Sequence, residues 1–259
     1  MPLQVQLLPT SSGDHTQAQP LTTFLVNDTI AIDAGSLGFA LTGEQLARVE
    51  HVVLTHAHMD HTASLPIAID AAFKYLSKPM RVYATAPTRN AVKEHLFNDE
   101  VWVDFSRFKI TGTELPCMEW IEMPPRKTIT LDGVRLTSIP VNHPVPTVGI
   151  IVETEAASIV ITSDTWKTDE IWAEASKLAN LKAVFVECSF PDELEKLAKE
   201  SGHLTPRLVA EETAKLGRRV PIYCVHLKPS MRDILQQELS PYAEQGIVQA
   251  EIGKIYSWG

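Results

Sequence analysis

The segment LTHAHMDHTASLP (54–66) places His56, His58, Asp60 and His61 within six positions, using three of the chain's nine histidines. Side chains two apart at a strand end point the same way, so His56 and His58 can share one ion. Asp60 and His61 fall on the following turn, displaced enough to serve a second. The run before the cluster, HVVLT (51–55), is apolar and β-branched, and TASLPIAIDAAFKYL (62–76) has helical spacing and good helix formers. The cluster therefore lies on a strand-to-helix loop, where α/β folds place chemistry.

A chain of 259 residues has room for one large α/β domain or two small ones. Its net charge of −9 argues against a generic nucleic-acid binder, which needs basic surface to displace counterions from phosphates. A small anionic ligand is still admissible, because bound divalent cations would make a site locally positive. Cys117, Cys188 and Cys224 are odd in number and widely spaced, which reads as reduced, buried thiols rather than a disulfide framework. The N-terminus has no basic region leading into an apolar stretch, and no run reaches the ~18 apolar residues of a membrane span. A cytoplasmic enzyme is expected, or a periplasmic one if a signal peptide has been removed.

Short strands are expected at VQLL, TTFLV and TIAID, then HVVLT, with the turn DAGS (33–36) between the last two. RVYATA reads as a strand and TRNAVKEHLF as a helix. Residues 97–127 are irregular and aromatic-rich, and read as an insertion near the site. TITL, VRLTSIPV, VGIIVET and SIVITSD form a run of strands, and AVFVECSF and PIYCVHL are later ones. DEIWAEASKLAN, DELEKLAKE, PRLVAEETAKLG and SMRDILQQEL are helical, the last being the final full helix. Two sheets face to face with helices outside, in one domain over 1–259, accommodate this order.

Further candidate ligands sit where apolar runs end: His143 after RLTSIPVN, Asp164 after SIVITS, His226 after PIYCV. With the first cluster they make five histidines and two aspartates, an inventory for two adjacent cations sharing one carboxylate. Imidazole suits zinc, and a histidine/aspartate set also tolerates manganese or iron.

THAHMDH followed in order by His143, Asp164 and His226 resembles the metallo-β-lactamase superfamily over nearly the whole chain. The resemblance implies a four-layer αββα sandwich and a dinuclear site. By it, His56, His58 and His143 would bind the first ion, and Asp60, His61 and His226 the second. Asp164 would bridge the two, and Asp33 would orient the histidine loop without being a ligand. Members of the superfamily cleave lactams, thioesters, lactones and phosphodiesters, so fold alone does not choose the substrate.

The segment VFVECSFPDELEKLAKESGHLTP adds Glu187 at a strand end and His203 ahead of a helix. Thr205 and Pro206 read as the N-cap and first position of that helix. An added histidine near the metals resembles the phosphodiesterase branches of the superfamily. DAGSL, NDEVWVDFSRF, VNHPVPTVGI, VECSFPDE, GHLTP and CVHLKPS occur in the order seen in class II cyclic-nucleotide phosphodiesterases. Met59 and Ser64 depart from that pattern, where leucine and glycine are usual. The implied activity is hydrolysis of 3′,5′-cyclic nucleotides, with Asp60, Asp164 and His203 as catalytic candidates. Glu187 either orients His203 or makes a surface salt bridge. Trp102, Phe105 and Phe108 are candidates for stacking the base, or else core or dimer contacts. The implied partner is a small cyclic nucleotide, with no stable nucleic acid and no membrane; a homodimer is compatible. Rival readings are a thioesterase, a lactonase, a tRNA 3′-processing nuclease, or a metal-binding protein without catalysis.

Overall fold

The computed structural model describes residues 2–10 and 19–259. Six strands come first: β1 Leu3–Leu7, β2 Phe24–Val26, β3 Ile30–Ile32, β4 His51–Val53, β5 Met80–Ala84 and β6 Met118–Glu122. Seven follow: β7 Thr128–Leu131, β8 Val134–Pro140, β9 Val148–Glu153, β10 Ser158–Ile161, β11 Leu181–Glu187, β12 Ile222–Val225 and β13 Ile247–Gln249. β14, Ile255–Trp258, returns to pair antiparallel with β1. The described strands form two seven-stranded sheets, in the orders β14-β1-β2-β3-β4-β5-β6 and β13-β12-β11-β10-β9-β8-β7.

Each sheet is antiparallel on one side and parallel on the other: β3 to β6 and β10 to β13 run parallel. Apolar side chains from both inner faces meet in one core, including Val5, Phe24 and Ile30 from the first sheet and Leu136, Ile150 and Phe185 from the second. Phe24 and Phe185 touch edge to face with ring centroids 5.3 Å apart. Outside the first sheet, the helix Leu65–Ala72 packs Leu65 and Ile69 among Val52 and Val82. Outside the second, helices Glu170–Ser176, Pro206–Thr213 and Arg232–Leu239 bring Trp172, Leu208 and Leu235 onto Val160 and Val184. The architecture is the four-layer αββα sandwich. Strands covered on both faces, such as β10 (SIVI), are buried at every position, which is why they read as continuous apolar runs rather than alternating ones.

Several local expectations are refined. A one-turn helix Met59–Thr62 overlaps the start of the segment 62–76, which then divides into the helix Leu65–Ala72, with Pro66 in its first turn, and a 3₁₀ turn Phe73–Tyr75. Within the irregular 97–127 stretch, Met118–Glu122 is an edge strand paired in parallel with β5. Its mixed charged and aromatic sequence, MEWIE, hides the period. β13 and β14 lie beyond the helix that reads as the last one. Thr205 stands at the N-cap of Pro206–Thr213, but its buried hydroxyl makes no capping hydrogen bond. All three cysteines are buried and free. No described helix is long and apolar enough to cross a membrane.

The turn after β3 grips the histidine loop through its backbone. Ala34 N donates to His61 O (2.8 Å), and Thr22 N donates to Asp60 O (2.8 Å). Ser64 braces the same junction: its hydroxyl donates to Ala34 O (2.8 Å) and accepts from Gly38 N (2.8 Å). Gly35 has no room for a side chain, because a Cβ there would stand 1.9 Å from Asp60 O and 2.7 Å from Thr22 N. Gly35→Ala is therefore expected to destabilise the fold by about 1–3 kcal/mol, read as a lower urea midpoint with an unchanged m-value.

Candidate metal centre

The parallel strands β10, β11 and β12 end on one side of the sandwich and deliver Asp164, Glu187 and His226 there. Loops after β4 and β8 bring His56, His58, Asp60, His61 and His143 to the same place, outside the carboxyl ends of the strands. Among the described residues three donor groups result, each with its ligand atoms within 4.8 Å of one another: His56, His58, His143 and Asp164; Asp60, His61, Asp164 and His226; and Glu187, His203 and His226. The first two are the candidate cation sites, because in the third His203 Nδ1 is already bound to Glu187. Asp164 belongs to both candidate sites. Its Oδ2 lies 3.4 Å from His61 Nε2 and 3.7 Å from both His56 Nε2 and His226 Nε2.

Hydrogen bonds behind the cluster set which ring nitrogen faces inward. Asp33, buried at 2% exposure, accepts at Oδ1 from Thr55 N (2.8 Å) and at Oδ2 from His61 Nδ1 (2.7 Å). The Thr55 hydroxyl donates to the same carboxylate, so toward His56 it can only accept, and His56 Nδ1 donates to it (3.0 Å). His143 Nδ1 donates to Gly202 O (2.9 Å). The Ser189 hydroxyl gives its one proton to Glu187 Oε2 (2.9 Å), so His226 Nδ1 donates to Ser189 Oγ (2.8 Å). At His56, His61, His143 and His226 the remaining lone pair is thereby on Nε2, and it faces the cluster.

This arrangement fits cations. His56 Nε2 and His61 Nε2 are buried without a hydrogen-bond partner, a costly state for isolated polar atoms. His143 Nε2 lies 3.1 Å from His58 Nδ1, and His226 Nε2 lies 2.8 Å from Asp60 Oδ2. Facing lone pairs need a proton or a cation between them. Ligand bonds of about 2.0–2.2 Å would bring donor atoms to such separations.

The electrostatics agree. Burial pushes the pKa of His56 well below its ordinary value, helped by His61, and burial likewise lowers His58 and His143. These rings are neutral donors. Burial opposes charge on Asp164 too, yet His226 and His61 overcome it and hold the carboxyl well below the usual carboxylate range. At His61 burial opposes the imidazolium, but Asp164 and Asp33 raise the pKa well above its ordinary value. A cation among these carboxylates would take the place of that proton.

Glu187 is buried at 1% exposure, so it is no surface salt bridge. Its Oε1 accepts from His203 Nδ1 (3.1 Å) and Leu204 N (3.0 Å). Burial opposes charge on His203, and Glu187 more than offsets it, so the pKa is raised. The His203 ring stacks on His226 (5.4 Å between centroids) and meets His143 edge on (5.2 Å). His203 is thus a proton-bearing group beside the donor cluster.

The backbone is strained at the same points: Asp33, Ser163 and His226 all have positive φ, near 60°. Thr55, Ser189 and Gly202 are supporting groups that sequence reasoning did not single out. Ser189 had a signal, since it follows Glu187 by two and so shares its side of the strand end. The aromatic candidates lie elsewhere: Phe105 is buried with the layer outside the first sheet, Trp102 packs against it, and Phe108 is exposed.

Residues 29–226 match the family described as "Beta-lactamase superfamily domain". The chain is 25% identical over 223 residues to a "Probable 3′,5′-cyclic-nucleotide phosphodiesterase" of Yersinia pestis, covering 75% of this chain and 63% of that protein. It thus spans less than two thirds of that relative. The solved structure of unliganded yeast PDE1 superposes with a TM-score of 0.77 at 16% identity, over 99% of both chains. The metallo-β-lactamase fold protein YhfI of Bacillus subtilis gives 0.74 at 17% identity, over 99% of this chain and 100% of that one. The fold implies divalent metal ions, and the groups described could hold them.

Asp33→Asn puts an amide where a carboxylate accepts from His61 Nδ1. It is expected to weaken zinc binding about 10–100-fold, measured by competition with a chromophoric chelator. Cation binding must displace the proton favoured at His61, so affinity is expected to fall as pH drops. Calorimetry in buffers of different ionisation enthalpy should register proton release on metal binding.

Proposed function

The chain belongs to the beta-lactamase superfamily, and from that membership we propose that it is a metal-dependent phosphodiesterase that opens 3′,5′-cyclic nucleotides, cAMP, cGMP or both, to 5′-monophosphates. The observation that carries the reading is one carboxylate, Asp164, shared by two donor groups, with the Glu187-held His203 beside them. The similarity to a protein named as a cyclic-nucleotide phosphodiesterase supports the choice of substrate.

Two divalent cations, zinc on ligand grounds with manganese or iron tolerated, would supply Lewis acidity and a strong nucleophile at neutral pH. In this reading His56, His58 and His143 hold one and Asp60, His61 and His226 the other, with Asp164 between. The reaction consumes one water: a P–O bond forms, the bond from phosphorus to the 3′ oxygen breaks, and that oxygen gains a proton. Of the two carboxylates in the cluster, Asp60 is the more exposed (34% against 3% for Asp164), and in this reading it accepts the proton of an incoming water. His203 donates to the departing 3′ oxygen. It is better suited than Asp164, because Glu187 favours the protonated ring whereas the imidazoles around Asp164 keep that carboxylate ionised.

Product analysis of metal-loaded protein with cAMP and cGMP tests the reading. Release of the 5′-monophosphate is expected, abolished by Asp164→Ala and slowed about 10²–10⁴-fold by His203→Ala. No turnover of either nucleotide by protein shown to hold two metals would overturn it in favour of thioester or lactone hydrolysis. A general acid with a raised pKa works below that pKa, so kcat should fall on the alkaline side. His203→Ala should remove that limb of the profile.

A further inference from the structure

A cavity of about 410 Å³ shares His143 with the donor cluster. Five prolines, Pro87, Pro125, Pro140, Pro144 and Pro146, line it together with Val145. Among the described residues no charged side chain lines it. Its two hydroxyls are already engaged: Thr147 Oγ1 donates to Val145 O (2.9 Å), and Thr85 Oγ1 pairs with Thr88 Oγ1 (3.0 Å). Proline fixes φ and has no N–H, so these walls are stiff, apolar and poor in donors. Pro144 also restricts the backbone of His143 before it, so one short segment sets both the donor and the wall.

A cyclic nucleotide is charged at one end and a flat uncharged heterocycle at the other. Resting on the phosphodiesterase reading above, we propose that this cavity seats the base, recognising its faces and size rather than its hydrogen-bonding edge. The volume falls within the ~300–1,000 Å³ range of small-molecule sites, and through His143 the cavity adjoins the donor cluster where the reaction is placed. Trp102, Phe105 and Phe108 are not among its lining residues. A pocket without free polar side chains discriminates weakly between ligands that differ in polar groups, so adenine and guanine are handled alike.

The test compares cAMP, cGMP and methyl ribofuranoside 3′,5′-cyclic phosphate, which lacks a base, in the metal-loaded enzyme. In the wild type, kcat/KM for the two nucleotides should agree within about tenfold, and the base-less diester should be at least about tenfold worse, chiefly through KM. Val145→Asp, which charges the cavity, and Val145→Trp, which fills it, should each shrink that advantage to about threefold or less by raising KM for the nucleotides. Phe108→Ala should preserve it. If the wild type hydrolyses both nucleotides but the advantage survives both Val145 variants, or vanishes in Phe108→Ala, the base sits elsewhere and this assignment falls alone. A wild type that hydrolyses neither nucleotide overturns the phosphodiesterase reading and this assignment with it.

Discussion

A carboxylate stays buried only if its lone pairs are satisfied, and the rest of the site depends on how Asp33 meets that condition. It accepts from the backbone and hydroxyl of Thr55 and from the ring of His61. Spending the Thr55 proton on Asp33 leaves that hydroxyl as an acceptor for His56 Nδ1 and for Ser163 Oγ (2.8 Å). One acid thus sets the tautomers of two rings and ties the β4 loop to the β10 loop. Asp33 and Ser163 adopt left-handed backbone conformations to reach these positions, at a cost of order 1–2 kcal/mol for each residue. Such strain persists where surrounding bonds over-determine the geometry. Here the backbone bonds from Ala34 and Thr22 to His61 and Asp60 do so.

On the opposite side Glu187 plays the matching part. It holds His203 directly and, through the Ser189 hydroxyl, orients His226. Two buried acids therefore frame the cluster, one behind the first histidine loop and one behind the last. Both are supplied by strand ends rather than by mobile loops, so the donor atoms are aimed by the sheets themselves. The sandwich matters to the chemistry for this reason: two sheets meeting along a common core bring residues from opposite ends of the chain within a few ångströms of Asp164.

Much of this was legible in the sequence because His56, His143, Asp164 and His226 follow apolar runs and His58, Asp60 and His61 crowd behind the first of them, a combination that single capping or loop residues do not explain. His56, His58, Asp60, His61, His143, Asp164 and His226 are all brought together. What stayed hidden depends on directions that spacing does not encode. The choice between a buried and a surface role for Glu187 turns on which side of β11 faces the second sheet's neighbours. Trp102 and Phe105 lie near the sequence of the first sheet's edge and join its outer layer, whereas Phe108 is exposed, destinations set by packing. β14 is only four residues long, and it pairs with a strand at the other end of the chain. Local alternation over so short a run cannot announce such a partner.

The centre and the proline-walled cavity beside it divide recognition in a way that follows from their chemistry. Loaded with divalent cations, the rigid donor cluster would suit an anion whose charge grows during reaction. The cavity offers stiff apolar surface with its hydroxyls already engaged, so it gains from contact area and loses little when the polar edge of the ligand changes. On the proposed reading, a chain built this way would select the reacting group and tolerate what is attached to it. His143 is where the two meet: its Nδ1 is held by Gly202 O, its Nε2 faces the cluster, and its backbone is constrained by Pro144 of the wall. Gly202 cannot be replaced freely, since a Cβ there would stand 2.4 Å from Pro144 Cδ and 2.9 Å from His143 Nδ1, and its φ of +74° already disfavours other residues. The loop ahead of His203 and the loop after β8 are consequently one packed unit, so the position of the proton-bearing histidine and the shape of the apolar wall cannot vary independently.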